Sequence, residues 1–571
     1  MLQKRWQIAA ASNAAPVTAL PDGTALAPIV SLILKSRGIT DPYQASAFLK
    51  KRMADLSHPF LLKDAKKAAT RIADAIASGE QIAIYGDYDV DGITATALMY
   101  LFLQSHGANV RYYIPARADE GYGLHISSLK RLYDAGSRLV ISVDCGITAT
   151  EEADFARSIG LDLIITDHHS CKDTLPDAFA VVNPRQPDCA YPFKELAGVG
   201  VAFQVVLAAA LVMGERARTC FDRYVGLVAI GTVADVVSLT GENRILVAHG
   251  LNQLQSTDNV GLRALFACAL GQNQALSAQR ISFAIAPRIN AAGRVAEASL
   301  AVELLITDDA ARAEEIAALL DEENRHRQAL ELEILEEADQ MLAAMADLDK
   351  RQVLVLAREG WHHGVIGIVS SRLVERYYKP VILISLTGSE GKGSGRSIQG
   401  FNLFDALCAC GDCLSRFGGH ALAAGLSIDR ACIEQLDREI NAYASRVMTE
   451  EILTPAVSID AVIGAQLLTL QNVDALRVLE PFGMGNPQPV LCLLNCTLTA
   501  LRTLSEGRHC KLTVSQGGRQ LDLLAFRMPD LADRFVVGDH IDAAFTLSSN
   551  VFRGERSLQL IVRDVRLSIG A

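Results

Sequence analysis

The sequence is most informative first through what it lacks. It has no disulfide framework: 12 cysteines are scattered over 571 residues without regular spacing, which excludes a small stapled scaffold. It has no collagen-like or low-complexity composition, and with 50% apolar and 21% charged residues it has the balance of a folded protein. Long apolar runs are missing too. The stretch after Lys4 and Arg5 is too short for a signal peptide. The longest uncharged segment, Leu196 to Gly214, contains Gln204, three glycines and many alanines, and reads as a buried helix of a soluble domain. No membrane partner is expected. A basic excess is absent as well: 54 Lys and Arg stand against 65 Asp and Glu, a net charge of −11.

That charge is local. From Asp308 to Asp349 there are 14 acids and 3 arginines, so one segment carries the whole excess and the remainder is neutral. Local basic surfaces remain available to an anionic partner, and the overall sign does not exclude nucleic acid. Cys408, Cys410 and Cys413 form the one cysteine cluster, C-x-C-x-x-C. Zinc would require a fourth ligand, with His420 or Cys432 nearest, and the triplet falls in a helix expected after Asn402. Ordinary reduced thiols are the better reading, and free cysteines in this number fit a reducing cytoplasm.

The length suggests three or four domains at about 150 residues each. Residues 1–75 read as a polar, partly helical lead-in. From Gln81, short apolar strands end in acids and are followed by helices: Ile82–Tyr85 runs into Asp87-Tyr88-Asp89-Val90-Asp91-Gly92, Leu139–Val143 into Asp144-Cys145-Gly146, and Leu161–Ile165 into Thr166-Asp167-His168-His169. Strands alternating with helices imply a parallel sheet whose ligands sit at the carboxyl ends of the strands, here over 76–305. Residues 306–350 contain no Pro or Gly from Asp308 to Asp349, and their apolar residues recur at helical spacing, as in a connecting helix. A second α/β unit is expected over 351–450. Short alternating strands with Gly turns over 456–571 read as a small β-barrel.

Asp87, Asp89 and Asp91 alternate in one loop. Ionised carboxylates so close repel one another, and a divalent cation with oxygen ligands, Mg²⁺ or Mn²⁺, relieves the repulsion. A helix N-cap would explain one or two of them. Three, together with Asp144, Asp167 and His168 at neighbouring strand ends, indicate a metal site. Neutral imidazole suits Mn²⁺, and the carboxylate of Asp167 can orient a ring. Asp235, in Gly231-Thr232-Val233-Ala234-Asp235, follows another apolar run and could complete a two-metal cluster.

Asp-Tyr-Asp-Val-Asp-Gly, Val-Asp-Cys-Gly-Ile, Thr-Asp-His-His and Gly-Thr-Val-Ala-Asp, in this order, resemble the motifs of the DHH phosphoesterase superfamily. Within it, Pro287–Arg294, Gly391–Ser397, Phe417–Ala421 and Phe552–Ser557 are similar to segments of the bacterial single-strand-specific 5′→3′ DNA exonucleases, from about residue 60 to the end. The resemblance implies a DHH catalytic domain, a DHH-associated domain and an OB-fold. It implies two metals held by Asp89, Asp91, Asp144, His168 and Asp235, with Asp144 as the bridge. Asp87 stands where some members place a histidine differently, and His169 would contact substrate or support a ligand. The implied reaction is two-metal hydrolysis releasing nucleoside 5′-monophosphates, in DNA recombination and repair.

Polarity and strand selectivity need further groups. The small residues of Gly391–Ser397 would let backbone amides approach an anion, with Ser394, Gly395 and Ser397 around the guanidinium of Arg396. Gly418, Gly419 and His420 resemble the signature of the DHH-associated domain, which closes over the substrate end. Arg117, Arg288 and Asn290 are further candidate substrate contacts. In the barrel, Phe482, Phe526, Phe545 and Phe552 accompany Arg527, Arg553 and Arg556, as in platforms that stack single-strand bases. Two other readings differ in kind: a phosphodiesterase of short RNA or cyclic dinucleotides, whose relatives lack the barrel, and a non-catalytic single-strand-binding scaffold, whose relatives lack the full acid set. Single-strand-binding protein and a RecQ-type helicase are partners implied by the resemblance alone.

Overall fold

After a short N-terminal strand, β1 (Arg5–Ile8), the first lobe forms on five parallel strands: β2 (Gln81–Gly86), β3 (Asn109–Tyr113), β4 (Leu139–Val143), β5 (Asp162–Thr166) and β6 (Ala180–Val182). The computed structural model describes residues 4–9, 15–115, 123–271, 275–295 and 297–568. β2, β4 and β5 are almost wholly buried, as strands covered by helices on both faces must be. Their order is β3-β2-β4-β5-β6, so the direction of winding reverses between β2 and β4. At such a reversal the loops leaving adjacent strands diverge and open a crevice. Asp87 follows β2 and Asp144 follows β4, which places both at its mouth. The uncharged segment is the buried helix Gly198–Val212, and no helix among the described residues is long and apolar enough to cross a membrane.

The acidic segment is a single helix of 34 residues, Ala310–Ala343, capped by Asp309, whose side chain accepts from the amides of Ala311 and Arg312. Its first half packs Ala313, Ile316, Ala317 and Leu320 into the core of the first lobe. Its second half packs Ile334, Ala338 and Leu342 into the next lobe. That lobe has five strands, β7 (Leu354–Glu359), β8 (Val381–Thr387), β9 (Glu390–Arg396), β10 (Arg416–His420) and β11 (Ala423–Asp429), in the order β10-β11-β9-β8-β7.

The C-terminal lobe adds β12 (Ala456–Ile459), β13 (Ala461–Val462), β14 (Val490–Leu504), β15 (His509–Gln516), β16 (Arg519–Phe526), β17 (His540–Phe552) and β18 (Glu555–Leu567). β14 pairs with both β15 and β17, and β18 joins β16 to β17, so five strands close into a barrel.

The expected lead-in is not a unit of its own. β1 pairs in parallel with β12, and Trp6 donates to Asp564 of the barrel at 2.6 Å. The helices Pro28–Ser36 and Pro42–Lys50 bury Ile29, Val30, Ile33, Leu34 and Leu49 in the barrel core, whereas Ala65–Ser78 packs into the first lobe. The amphipathic faces of these helices find partners hundreds of residues away. Arg244, only 2% exposed, ties first lobe to barrel lobe by donating to the carbonyls of Phe48, Pro481 and Val478.

Candidate metal centre and substrate cleft

The carboxylates of the first lobe are placed by backbone hydrogen bonds. Asp89 caps the helix Val90–Ser105, accepting from the amides of Asp91 and Gly92. Asp91, in the first turn, crosses to another helix and accepts from Gly198 N at 2.7 Å and Val199 N at 2.9 Å. Helix N-termini leave such amides without internal partners and favour negative charge there. Asp144 lies in the left-handed region (φ +62°) just beyond β4. A Cβ at Gly198 would fall 2.2 Å from Asp144 Oδ1, so only glycine fits at that helix start. Asp167 accepts from Ile147 N, His168 N and His169 N, and its Oδ1 also meets His169 Nδ1 at 2.7 Å. Asp235 ends the helix Ala217–Ala234, with Oδ2 3.7 Å from His168 Nε2. His168 Nε2 is also 3.3 Å from Asp144 Oδ1.

Among the described residues three groups of potential ligand atoms result, each within 4.8 Å: Asp87, Asp89 and Asp144; Asp144, His168 and His169; and Asp91, His168 and Asp235. Asp144 belongs to two of them, as does His168, which is the pattern of overlapping sites. None contains a cysteine, and Cys410 and Cys413 are buried free thiols. Both ring nitrogens of the buried His168, and Oδ2 of Asp235, have no hydrogen-bond partner among the described residues. Buried polar atoms ordinarily find one, so the donor set fits divalent cations.

Electrostatics agree. Burial, then repulsion from Asp89, Asp87 and Asp235, holds Asp144 well above the usual carboxylate range. Asp91 is raised by burial and then by Asp144 and Asp235, and Asp235 is raised chiefly by burial. Asp167 behaves oppositely: burial pushes it up, but the hydrogen bond and charge of His169 and three backbone amides bring it below the ordinary value. An ionised Asp167 fixes the tautomer of His169, with Nδ1 carrying the proton. A raised folded-state carboxylate stabilises the fold while protonated and loses that contribution as pH rises through its elevated value. The contribution of Asp144, Asp91 and Asp235 to the stability of the metal-free protein should therefore fall as pH rises from the ordinary carboxylate range through their elevated values. Bound Mn²⁺ should offset this, with a gain in melting temperature that grows with pH. Thermal unfolding with a chelator and with Mn²⁺ across pH checks it; a gain independent of pH would contradict the assignment.

The second lobe gathers several of the anticipated substrate residues but changes the reason for their placement. Gly391–Arg396 lies within strand β9, paired with β8 on one side and β11 on the other, so its amides belong to the sheet and do not form an anion-binding turn. A Cβ at Gly393 would meet Leu426 at 2.7 Å, and one at Gly395 would meet Leu403 at 2.8 Å; these glycines serve core packing. Lys392, Ser394 and Arg396 share the opposite face, toward the helix His363–Tyr377, where Gly367 lets Ser394 and Arg396 approach. Arg396 donates to Ser394 Oγ at 3.2 Å, and Ser397 Oγ donates to Phe401 O. By register, Gly418 lies across Gly425 from Ser394, and His420 across Ala423 from Arg396, with Gly419 between them. Arg288 is not an available phosphate donor: it is paired with the buried Asp321 at 2.8 Å and ties two helices together. Arg117 lies outside the described residues.

A cavity of about 1,230 Å³ joins the lobes. Asn290, Val236 and Phe283 line it from the first lobe, Arg327 from the long helix, Arg372 and Arg376 from the second lobe, and Phe526 and Arg527 from the barrel. Phe283 is 78% exposed, an aromatic surface the sequence reading missed. Arg372 and Arg376, one helical turn apart, offered the one local signal. Of the barrel aromatics, Phe526 and Phe552 are exposed, whereas Phe545 is core and Arg556 is engaged by Asp474.

A parallel sheet with acids and histidines converging at its switch point, under a second lobe with a cationic sheet face, defines a phosphoesterase of the DHH type. The DHH family N-terminal domain model matches residues 81–232, the DHHA1 domain 350–446 and the RecJ OB domain 459–564. The chain is 40% identical to the RecJ single-stranded-DNA-specific exonuclease of Bacillus subtilis over 99% of its own length and 71% of that protein's. With the corresponding Escherichia coli exonuclease it shares 34% identity over 95% of this chain and 96% of the other. The crystal structure of RecJ from Thermus thermophilus with Mn²⁺ superposes with a TM-score of 0.83 at 32% identity, covering 99% of this chain and 80% of that one. The chain belongs to the RecJ family.

Proposed function

We propose that this protein is a single-stranded-DNA-specific 5′→3′ exonuclease releasing nucleoside 5′-monophosphates, serving DNA recombination and repair. The observation that carries the reading is the cluster of Asp87, Asp89, Asp91, Asp144, His168 and Asp235, with overlapping ligand groups meeting at Asp144 and His168. The Thermus thermophilus relative was crystallised with Mn²⁺ and with Mg²⁺. When bound, two such ions would polarise a phosphodiester and lower the pKa of water at the strand ends. Asp89, Asp91, Asp144, His168 and Asp235 would hold them. Asp167 orients His169 so that Nε2 is the nitrogen able to accept a proton beside Asp144 and His168. Phe283, Phe526 and Arg527 give the cleft aromatic faces and a cation suited to an unpaired strand, while Arg372 and Arg376 at its wall are paired with Glu331 and Asp339. The barrel and the full acid set weigh against the short-RNA phosphodiesterase and the scaffold.

Oligonucleotides labelled at either end, single-stranded or duplex, test the activity. Labelled mononucleotide should appear first from the 5′ end of single strands and require Mn²⁺ or Mg²⁺. Release from the 3′ end, or equal rates on duplex, would overturn the proposal. Ser394, Arg396 and His420 form the site for the 5′ end. A charge-assisted contact is worth about 1.5–3 kcal/mol, so Arg396→Ala should weaken binding of a 5′-phosphorylated strand roughly 10- to 100-fold and spare a 5′-hydroxyl strand. Equal losses on both would remove Arg396 from that role. The twelve free cysteines support a cytoplasmic location. Single-strand-binding protein and a RecQ-type helicase are the proposed protein partners.

A further inference from the structure

We infer that the Gly483–Asn486 turn of the barrel lobe is a positioning element for Asp235, so that the metal centre of the first lobe is held in register by a contact from the DNA-binding lobe. The inference rests on the reading of Asp235 as a metal ligand.

Asp235 is a candidate ligand whose Oδ2 has no hydrogen-bond partner among the described residues. It caps the end of its helix, and the next helix begins only at Gly241. The intervening link leaves Asp235 through Val236, which lies at φ +63° and is 60% exposed. A β-branched residue rarely adopts that conformation, and it persists only where the surroundings hold it. The first lobe holds the link through Leu239, which is buried in its core, through Val237, which packs against that core, and through a hydrogen bond from Asn243 Nδ2 to Ser238 O at 3.1 Å.

The barrel lobe adds a second set of contacts. Leu239 N donates to Met484 O at 2.7 Å. A Cβ at Gly483 would lie 2.6 Å from Leu239 Cδ1, and one at Gly485 would lie 2.1 Å from Ser238 Oγ and 3.3 Å from Thr240 Cγ2. A side chain at either glycine would strike Leu239, Ser238 or Thr240 of the link. The turn itself is rigid: Gly483 N donates to Asn486 O and Asn486 N to Gly483 O. The buried Asn486 donates to Leu479 O and Pro481 O and accepts from Arg37 at 2.7 Å. Arg244, just beyond the link, is held by the carbonyls of Pro481 and Val478. A shift of this turn would be transmitted through Leu239 and Ser238 to Asp235, whose separation from His168 sets one ligand group.

Groups that support a ligand from outside typically change metal affinity 10- to 100-fold when altered. Gly485→Ala in the full chain should therefore weaken Mn²⁺ binding, measured by calorimetry, about tenfold or more. It should also lower kcat while leaving single-strand affinity in chelator unchanged. Ser238→Ala removes the hydroxyl the new methyl would strike, so Gly485→Ala/Ser238→Ala should recover most of the affinity. Gly507→Ala is the control for conformational cost alone: Gly507 also has positive φ (+85°), with nothing within 4 Å of a Cβ. It should bind Mn²⁺ as the parent does. Parental affinity in Gly485→Ala, no recovery in the double variant, or an equal loss in Gly507→Ala would each overturn the inference. Asp235→Asn separates the two levels: if it binds Mn²⁺ like the parent, the ligand reading itself fails. If it weakens binding while Gly485→Ala does not, only the brace fails.

Discussion

Asp144→Asn is expected to abolish turnover while leaving the fold more stable in chelator than the parent. Asp144 shares two of the three ligand groups, so its loss affects both proposed ions. Withdrawing several kcal/mol of transition-state charge stabilisation, about 4, corresponds to about a thousandfold in rate. Asparagine preserves the shape and tolerates the left-handed backbone at φ +62°, which alanine does not. It also removes a buried charge that Asp89, Asp87 and Asp235 repel. Nuclease rate and melting temperature should thus move in opposite directions, the latter only without metal. Retained turnover with Mn²⁺ would remove Asp144 from the centre, and a lower melting temperature in chelator would show that its charge is not a burden.

A chain ending at Pro455 is expected to aggregate, although every candidate metal ligand precedes it. Ile29, Ile33 and Leu34 are wholly buried against the barrel and would be left without cover, and β1 would lose its partner β12. Burying each such side chain is worth about 1.5–3 kcal/mol, so the three together approach the whole stability of a domain. Removing residues 1–50 as well takes away the orphaned helices. That shorter fragment should be monomeric by light scattering, yet poor in Mn²⁺ affinity because the Gly483–Asn486 turn is gone with the barrel. A monomeric 1–455 chain melting at the same temperature as the 51–455 fragment would refute the shared core.

The strand-end acids were legible in the sequence because each is local: a few apolar residues, then a carboxylate, repeated down a parallel sheet. The same holds for the long helix, whose lack of Pro and Gly and steady apolar spacing leave little alternative. Other features were hidden for identifiable reasons. Gly198 and Val199 hold Asp91 through backbone amides, which leave no side-chain signature. Gly391–Arg396 has the composition of a loop, yet its glycines exist because Ile384, Leu426 and Leu403 press on that strand. The helices before residue 51 belong with the barrel because their apolar faces match surfaces beyond residue 460, and nothing near them in sequence names that partner. Arg288 shows the converse: an arginine in a promising motif is consumed by a buried acid, Asp321.

The 34-residue helix has a mechanical consequence. At 1.5 Å per residue it is a beam about 50 Å long, embedded at one end in the first lobe and at the other in the second. Its midsection is stiffened by the buried pair Arg327–Glu331, which Arg372 of the second lobe also grips at 3.0 Å. Lobes joined this way do not swing on a slack tether. The width of the opening between them is that of a caliper set at synthesis, and widening it means flexing a helix and breaking a buried charge network. Solution scattering should therefore give the same radius of gyration for the protein with and without a single-stranded oligonucleotide.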